Sequence, residues 1–149
     1  MTRAAILYPG EMGAAFGRAL RAHGMACATV VDGRGAATRR RAEEAGIVLC
    51  PSLEQAIDGC ALIVSLVPAR AAAAVAAQVA QAFGAGMAAA AAPALYLDAN
   101  STAPADMAHI ADVVAAAGVA CVDGAVVGSA NRVGGETVVL LSGPEASRA

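Results

Sequence analysis

Lysine and tryptophan are absent from the 149-residue sequence. The ten side chains that are positively charged at neutral pH are all arginine. This chain therefore offers no lysine that could form a Schiff base or act as a general acid or base. Aromatic residues make up only 3% of the chain, which argues against the stacking platforms that bind single-stranded nucleic acid. The net charge of −2 and the pI near 5.6 provide no basic surface. We therefore expect no nucleic-acid partner.

Long hydrophobic runs are missing too, although 58% of the residues are apolar. Most of the apolar residues in the richest run, 71–97, are alanine, and the run is interrupted at Gln78, Gln81, Gly84, Gly86 and Pro93. It lacks the leucine, isoleucine and phenylalanine density of a membrane-spanning helix. No sustained apolar stretch precedes the first turn, so no signal peptide is predicted. We expect no membrane contact and a cytoplasmic location.

The four cysteines lie far apart and form no C-x-x-C pair. None of them stands at metal-ligand spacing from either histidine. We interpret Cys27, Cys50, Cys60 and Cys121 as small apolar residues in a reducing compartment, and we predict no metal site.

Strand-like and helix-like segments alternate along the chain. The strands are short continuous apolar runs, which is the pattern of a parallel sheet covered by helices on both faces. This alternation predicts one domain over residues 1–149 with an α/β fold, a doubly wound, mostly parallel sheet of the Rossmann type. We predict strands at about 4–8, 26–31, 47–50, 61–67, 95–98, 119–123 and 137–142, and helices at about 11–22, 36–45, 52–58, 69–82 and 104–117.

The connections between helices and strands and the residues after the last strand allow further predictions. Gly24, Gly46 and Gly118 follow predicted helices at the usual C′ position. After Phe83 we expect a looser, glycine-rich piece. The residues that follow the last predicted strand are too few for another helix. We therefore expect an uncovered sheet edge or face, with a chain that is part of a longer protein or that pairs with another chain.

The first predicted strand runs into a glycine-bearing turn, and a helix of small residues begins near Glu11. Such a helix start attracts phosphate, and glycine lets the backbone approach a pyrophosphate. A full G-x-G-x-x-G pattern would have glycine at 8, 10 and 13. Tyr8 occupies the first position, Gly10 and Gly13 are present, and Gly17 follows one turn later. We expect valine at position 13 to block the dinucleotide while the fold survives. An ordinary strand–turn–helix is the alternative interpretation.

The second strand–helix junction is where dinucleotide-binding folds contact the adenosine ribose. Asp32 there could accept a hydrogen bond from a 2′-hydroxyl and favour NAD, whereas Arg34 and Arg39 could pair with a 2′-phosphate and favour NADP. The arginine cluster that continues with Arg40 and Arg41 favours NADP slightly. A solvated basic helix start is the alternative interpretation of those last two residues.

Polar or loop-forming residues follow three later strands. Val67 and Pro68 come at the carboxyl end of the fourth strand and could line a ligand crevice, or could simply end the strand. Asn100 and Ser101 follow the fifth strand and could present donors to an anionic substrate. Alternatively, Ser101 or Thr102 caps the next helix.

The last candidate site follows the sixth predicted strand. Gly128 and Ser129 could offer backbone N–H groups and a hydroxyl to a substrate carboxylate. A flexible loop that leads into the final strand is the alternative interpretation.

The order of these motifs resembles the cofactor-binding domain of the β-hydroxyacid dehydrogenase family, which includes 6-phosphogluconate and 3-hydroxyisobutyrate dehydrogenases. The similarity covers nearly the whole chain. It rests on four motifs in order: Tyr8-Pro-Gly-Glu-Met-Gly, Ser65-Leu-Val-Pro, Asp98-Ala-Asn-Ser-Thr-Ala-Pro and Asp123-Gly-Ala-Val-Val-Gly-Ser.

The resemblance implies a Rossmann domain followed by a helical domain, with hydride transfer between NADP or NAD and a small β-hydroxy acid or related carbonyl. It assigns roles by motif position: pyrophosphate binding to Gly10, Glu11, Met12 and Gly13; the nicotinamide border to Val67 and Pro68; and substrate binding to Asn100, Ser101, Gly128 and Ser129.

This chain departs from the family pattern in three ways. Tyr8 replaces the first glycine, and Val127 stands where the family usually has a substrate-binding serine. The family's catalytic lysine belongs to the helical domain, and this chain has neither that domain nor any lysine. No catalytic residue is therefore assigned. We expect a small-molecule substrate and either a homo-oligomer, such as a dimer, or association with a helical domain. The alternatives are a non-catalytic nucleotide-binding or assembly module and a coenzyme A or flavin binder.

Overall fold

The computed structural model of the chain describes residues 1–85 and 94–149. It contains one seven-stranded sheet: β1 (Arg3–Leu7), β2 (Ala26–Val30), β3 (Val48–Cys50), β4 (Leu62–Ser65), β5 (Leu95–Asp98), β6 (Ala120–Val127) and β7 (Val138–Ser142). The helices are α1 (Glu11–Ala22), α2 (Ala36–Glu44), α3 (Leu53–Ile57), α4 (Ala69–Gly84) and α5 (Pro104–Ala116), with short 3-10 turns at Ala130–Arg132 and Ala146–Arg148. The predicted elements are confirmed, with differences of one or two residues at their ends except at the end of β6.

The strand order is β3-β2-β1-β4-β5-β6-β7. Strands β1 to β6 are parallel, and only β7 runs antiparallel to its neighbour. The chain begins in the middle of the sheet, proceeds outward to β3, and then crosses back to β4 beside β1. The predicted doubly wound α/β class is confirmed, and the winding direction reverses between β1 and β4. Within the described residues no helical domain follows β7.

Both faces of the central strands are buried, as their continuous apolar sequences predict. Along β1, alternate residues enter two different cores. Leu7 packs with Ile63 and Tyr96 on the face that α3, α4 and α5 cover. Ile6 lies on the opposite face, in the core to which α1 and α2 contribute. The carboxyl ends of these strands are therefore held rigidly from two sides.

The predicted glycine positions after helices α1, α2 and α5 are confirmed. Gly24, Gly46 and Gly118 have φ values of +84°, +68° and +77°, which place them in the left-handed region that glycine adopts without strain. The glycine-rich piece predicted after Phe83 falls mainly at 86–93, outside the described residues.

The prediction for the end of β6 is wrong. The strand was expected to end at about residue 123, with a loop to follow, but β6 continues to Val127 and forms an antiparallel hairpin with β7. The hairpin is covered on one side only. Val127, Val138 and Leu140 are 57%, 52% and 58% exposed, so the expected uncovered sheet surface is present at this edge.

The four cysteines are free thiols, and Cys27 and Cys60 are fully buried. Burial raises the pKa of Cys60 to about 11 and that of Cys121, with help from Asp98 and Asp123, to about 12. Both thiols therefore stay protonated at neutral pH, as apolar packing residues do. Residues 1–85 and 94–149 contain no metal-binding cluster of His, Cys, Asp and Glu and no helix long and apolar enough to cross a membrane.

Candidate functional site

The carboxyl ends of β1, β2, β4 and β5 meet at one edge of the sheet, because these strands are parallel neighbours. The reversal of the winding between β1 and β4 separates the helices that follow these strands and opens a crevice there. The candidate residues that follow the four strands are therefore brought to a common edge.

The start of α1 lies in this crevice directly after β1. The helix begins at Glu11, and Gly10 is its N-cap without any side-chain hydrogen bond. The first bond within the helix joins the Ala14 N–H to the Gly10 carbonyl at 3.0 Å. The backbone N–H groups of Glu11, Met12 and Gly13 precede it and have no partner within the helix. They provide the donors that a pyrophosphate requires.

The glycines at the start of α1 and within its first two turns have different roles. A Cβ on Gly10 would have no heavy atom within 4 Å, so the backbone there is open to an approaching ligand. A Cβ on Gly13 would lie 3.2 Å from Pro9 Cβ and 3.3 Å from Ile6 Cγ2, and one on Gly17 would lie 2.5 Å from Ile47 Cδ1. The last two glycines therefore allow α1 to pack against the sheet. The expectation for valine at position 13 is corrected, because its side chain would meet β1 and the turn rather than a ligand alone.

A cavity of about 560 Å³ lies at the ends of β1 and β2, where the adenosine is predicted to bind, and we call it the adenosine cavity. Asp32 and Arg34 both line it, together with Tyr8 and Gln78. The guanidinium carbon of Arg34 lies 4.2 Å from the centre of the Tyr8 ring. The Tyr8 hydroxyl donates a hydrogen bond of 3.1 Å to Gln78 Oε1. The two residues predicted to choose between NAD and NADP thus share one cavity.

The three arginines of α2 do not line one common cavity. Arg39 lines a separate cavity of about 260 Å³ that shares Asp32 with the first. Arg40 pairs with Glu44 at 4.0 Å on an exposed face of the helix. Arg41 lines a cavity of about 400 Å³ along α1 that also includes Glu11 and Ser129. The three arginines together therefore do not support NADP, which corrects that expectation. Arg34 remains as the basic side chain at the adenosine cavity.

The end of β4 is fastened to the end of β5 by Asn100. Its side-chain oxygen accepts a hydrogen bond of 2.6 Å from the Val67 N–H. Its amide nitrogen donates to Ser65 Oγ at 2.8 Å and to Asp98 Oδ2 at 3.0 Å. Asn100 is 8% exposed, and both of its amide protons are engaged. The expectation that it offers donors to a substrate is corrected, because this side chain fixes the loop that begins at Val67.

Asp98 forms the base of this network. Its second oxygen, Oδ1, accepts the backbone N–H of Asn100 at 3.2 Å, and the residue is completely buried. Burial raises the pKa of Asp98, the hydrogen bonds from Asn100 oppose the rise, and the charge of Asp123 adds to it. Neighbouring Tyr96 is also fully buried. Burial raises its pKa above the usual range.

The loop between β5 and α5 holds Ser101 in an exposed position with φ of +51°. Ser101 does not cap the helix, and Thr102 does not either: the N-cap is Ala103, and Pro104 is the first helical residue. The Thr102 hydroxyl instead points to Met107 Sδ at 3.8 Å. The capping alternative is wrong, and Ser101 remains an accessible hydroxyl beside the crevice.

Gly128 and Ser129 belong to the turn of the β6–β7 hairpin. A Cβ on Gly128 would lie 2.9 Å from Thr137 Cα, so glycine is required for the two sides of the turn to meet. The Ser129 hydroxyl donates to Asn131 Oδ1 at 2.6 Å, and its carbonyl accepts from Thr137 Oγ1 at 2.8 Å. The flexible-loop alternative is corrected, since these contacts fix the turn. Ser129 and Glu11 line the same cavity, so the turn lies beside the start of α1.

Sequence reasoning missed four residues of this edge as parts of the site: Tyr8 was noted only as a departure from a motif, and Ser65, Gln78 and Asp98 were given no role. The Asp98-Ala-Asn spacing was an available signal, because an aspartate often binds the backbone N–H two residues on. The pairings of Tyr8 with Gln78 and of Ser65 with Asn100 had no such signal, since 70 and 35 residues separate the partners.

The parallel sheet, the reversal between β1 and β4, the open start of α1 and the charged residues after β2 define a dinucleotide-binding domain of the Rossmann type. The sequence profile of the NAD binding domain of 6-phosphogluconate dehydrogenase matches residues 6–149. The chain belongs to this family of nicotinamide-cofactor-binding domains, which confirms the resemblance seen in the sequence. No curated protein gave a significant sequence match.

Solved structures share this fold. A 3-hydroxyisobutyrate dehydrogenase from Salmonella typhimurium is 26% identical, with a TM-score of 0.71 over 98% of this chain and 50% of its own. An imine reductase variant from Myxococcus stipitatus in complex with NAD+ is 20% identical, with a TM-score of 0.75 over 97% and 47%. An Aspergillus terreus imine reductase in complex with NADPH4 is 22% identical, with a TM-score of 0.73 over 96% and 48%. The chain spans about half the length of the structures it matches.

Proposed function

We propose that the chain is the cofactor-binding half of an oxidoreductase that transfers a hydride between a nicotinamide cofactor and a small β-hydroxy acid or related carbonyl compound. The observation that carries this proposal is the open start of α1 at the β1–β4 reversal. Three backbone donors point out of the helix start there, and Gly10 leaves space for a pyrophosphate. Family membership supports the same assignment.

NADP is the form of the cofactor that we propose, with NAD as the alternative. Arg34 supports NADP, because its side chain lines the adenosine cavity and has no hydrogen-bond or ion-pair partner within the described residues. A guanidinium binds a phosphate through two parallel N–H donors. Asp32 in the same cavity supports NAD, because a carboxylate accepts from a ribose hydroxyl and repels a phosphate. The similar structures include one NAD+ complex and one NADPH4 complex.

The chain's own residues would bind and orient the cofactor. When bound, the nicotinamide supplies or accepts the hydride. The start of α1 would hold the pyrophosphate, and the fixed loop at Val67 and Pro68 would border the nicotinamide. Ser101 and the turn at Gly128 and Ser129 are the substrate-side groups that we retain. The chain has no lysine, so we place the acid–base group on another domain or chain.

We further propose that the chain works in the cytoplasm with a helical domain or as a homo-oligomer. The exposed apolar side chains of the hairpin support such an association, since Val138 and Leu140 lie uncovered on one face of β7. The same observation favours a second candidate function, a non-catalytic assembly module. Nucleotide affinity separates these two functions, because an assembly module has no need of a selective dinucleotide site.

Calorimetric titration of the chain with NADPH, NADH, NADP+ and NAD+ tests the proposal. We expect saturable binding that prefers NADPH. Arg34→Ala should weaken NADPH by about 10- to 100-fold, the value of charge-assisted hydrogen bonds, and change NADH much less. Arg40→Ala is the matched control, since it removes an exposed arginine that pairs with Glu44 and does not line the adenosine cavity among the described residues. A folded chain that binds none of the four would contradict the proposal. A preference for NADH would transfer the selecting role to Asp32.

A further inference from the structure

We propose that Tyr8, the residue in place of the motif's first glycine, is a positioning residue that holds Arg34 ready for the 2′-phosphate of the cofactor. The proposal rests on the proposed function of Arg34 and adds what keeps this side chain available. Tyr8 thereby becomes a determinant of selectivity for NADP over NAD.

The position of Tyr8 is fixed by its backbone conformation, by packing of its ring and by a hydrogen bond. It follows β1 with φ of +51°, a left-handed conformation that a bulky residue seldom adopts. The ring packs against the core under α3 and α4, and the hydroxyl donates to Gln78 Oε1 at 3.1 Å. A residue kept in an unfavourable conformation by such contacts offers a rigid surface at the mouth of the adenosine cavity.

The guanidinium of Arg34 contacts the Tyr8 ring. Its guanidinium carbon stands 4.2 Å from the ring centre, within the range of a cation–π contact. Stacking engages the flat face of a guanidinium, while its N–H donors point outward in the plane. The contact therefore holds the charge in place and leaves the groups that bind phosphate free.

The charges around the cavity explain why such a support is needed. Arg34 is the one basic side chain among the described residues that line it, and Asp32 and Glu54 line it as well. A flexible arginine beside two carboxylates would pair with one of them and lose its availability for phosphate. No ion pair within 4 Å joins Arg34 to either carboxylate in the described structure. The Tyr8 ring holds the guanidinium away from both.

The test is a double-mutant cycle read out as the ratio of NADH to NADPH dissociation constants. Tyr8→Leu removes the ring but keeps an apolar side chain with the same backbone constraint. We expect it to lower the ratio by about two- to fivefold, the size of an exposed cation–π contact, with most of the change in NADPH binding. In an Arg34→Ala background, Tyr8→Leu should leave the ratio unchanged. Tyr8→Phe keeps the ring and loses only the bond to Gln78, so its effect should be smaller.

The outcomes distinguish this inference from the function on which it rests. A chain that binds no dinucleotide, or that shows no NADPH preference, would overturn the role of Arg34 and this inference with it. If the chain prefers NADPH but Tyr8→Leu leaves the ratio unchanged, the inference alone is overturned. The inference alone is also overturned if Tyr8→Leu lowers the ratio equally in the Arg34→Ala background. A selectivity loss that requires Arg34 supports it, because a merely structural effect of Tyr8 would weaken both nucleotides alike.

Discussion

The two ends of the crevice are built in opposite ways. At the end that includes the adenosine cavity, Arg34 is an exposed side chain with one ring contact, and its donors have no partner among the described residues. At the end formed by the loops after β4 and β5, Asn100 is buried and makes four hydrogen bonds to Ser65, Val67 and Asp98. One end keeps polar groups available for a ligand, whereas the other uses them to fix the backbone.

This difference shows that two polar residues at the same sheet edge can have separate tasks. A buried polar group must satisfy its hydrogen bonds within the protein, so Asn100 contributes to stability and shape. An exposed cation loses little when it has no protein partner, so Arg34 is available for the ligand role proposed above. Substitutions at the two ends should therefore change different quantities.

The largest effect is expected from Asn100→Ala. It leaves the Val67 N–H, the Ser65 hydroxyl and Asp98 Oδ2 without their side-chain partner, so we expect a loss of about 3 kcal/mol in the free energy of unfolding. Urea unfolding measures this loss. Ser101→Ala is the control in the same loop, where an exposed hydroxyl is removed and the change should stay within about 0.5 kcal/mol. Equal, small losses in the two variants would break the comparison.

A smaller effect is expected in the pH dependence of stability at the buried end. The folded pKa of Asp98 is raised above its unfolded value, so the folded state binds the proton more tightly. This contribution is present below the unfolded pKa, about 3.9, and is lost as pH rises through the folded pKa. Asp98→Asn removes the titrating group, so the stability of the unaltered chain relative to this variant should fall as pH rises.

Urea unfolding from about pH 4 to about pH 7 follows this difference. Asp112→Asn, which removes a carboxylate from the exposed side of α5, controls for net charge. A difference that stays constant or rises across the range would show that burial does not raise the pKa of Asp98 in the folded chain.

The smallest effect on stability is expected from Arg34→Ala at the open end. The side chain has one exposed ring contact, so the free energy of unfolding should change by less than about 1 kcal/mol while NADPH affinity falls as described above. Thermal unfolding with and without NADPH separates the two quantities. A large loss of stability in the absence of ligand would mean that Arg34 is structural, and the two ends would then resemble one another.

Much of the fold could be predicted because each element depends on its own residues. Continuous apolar runs such as 61–64 specify strands buried on both faces, and Gly24 and Gly118 end helices where the left-handed conformation is needed. The end of β6 was mispredicted because Asp123-Gly-Ala has turn-like composition, and only pairing with β7 makes it a strand. Strand pairing over distance overrode local preference.

The candidate site could be predicted in place but not in detail. Parallel strands bring Asp32, Val67 and Asn100 to one edge whatever their side chains do. The orientation and hydrogen-bond state of each side chain depend on partners far away in sequence. Sequence order therefore gave Asn100 a ligand-facing role, whereas in the structure its side-chain amide is engaged by Ser65, Val67 and Asp98.

The sequence alone determined the α/β class, the alternation of strands and helices and the lack of lysine, because these depend on composition and on local periodicity. The family followed from the resemblance of four motifs in order, which the family match confirmed. Only the tertiary structure decided that Gly13 and Gly17 allow α1 to pack on the sheet, that the side-chain amide of Asn100 has its hydrogen bonds within the protein, and that the Tyr8 ring contacts Arg34. The physical reason is that packing and hydrogen bonding are satisfied between elements. A residue's chemical role follows from which of its groups remain free once the elements have met.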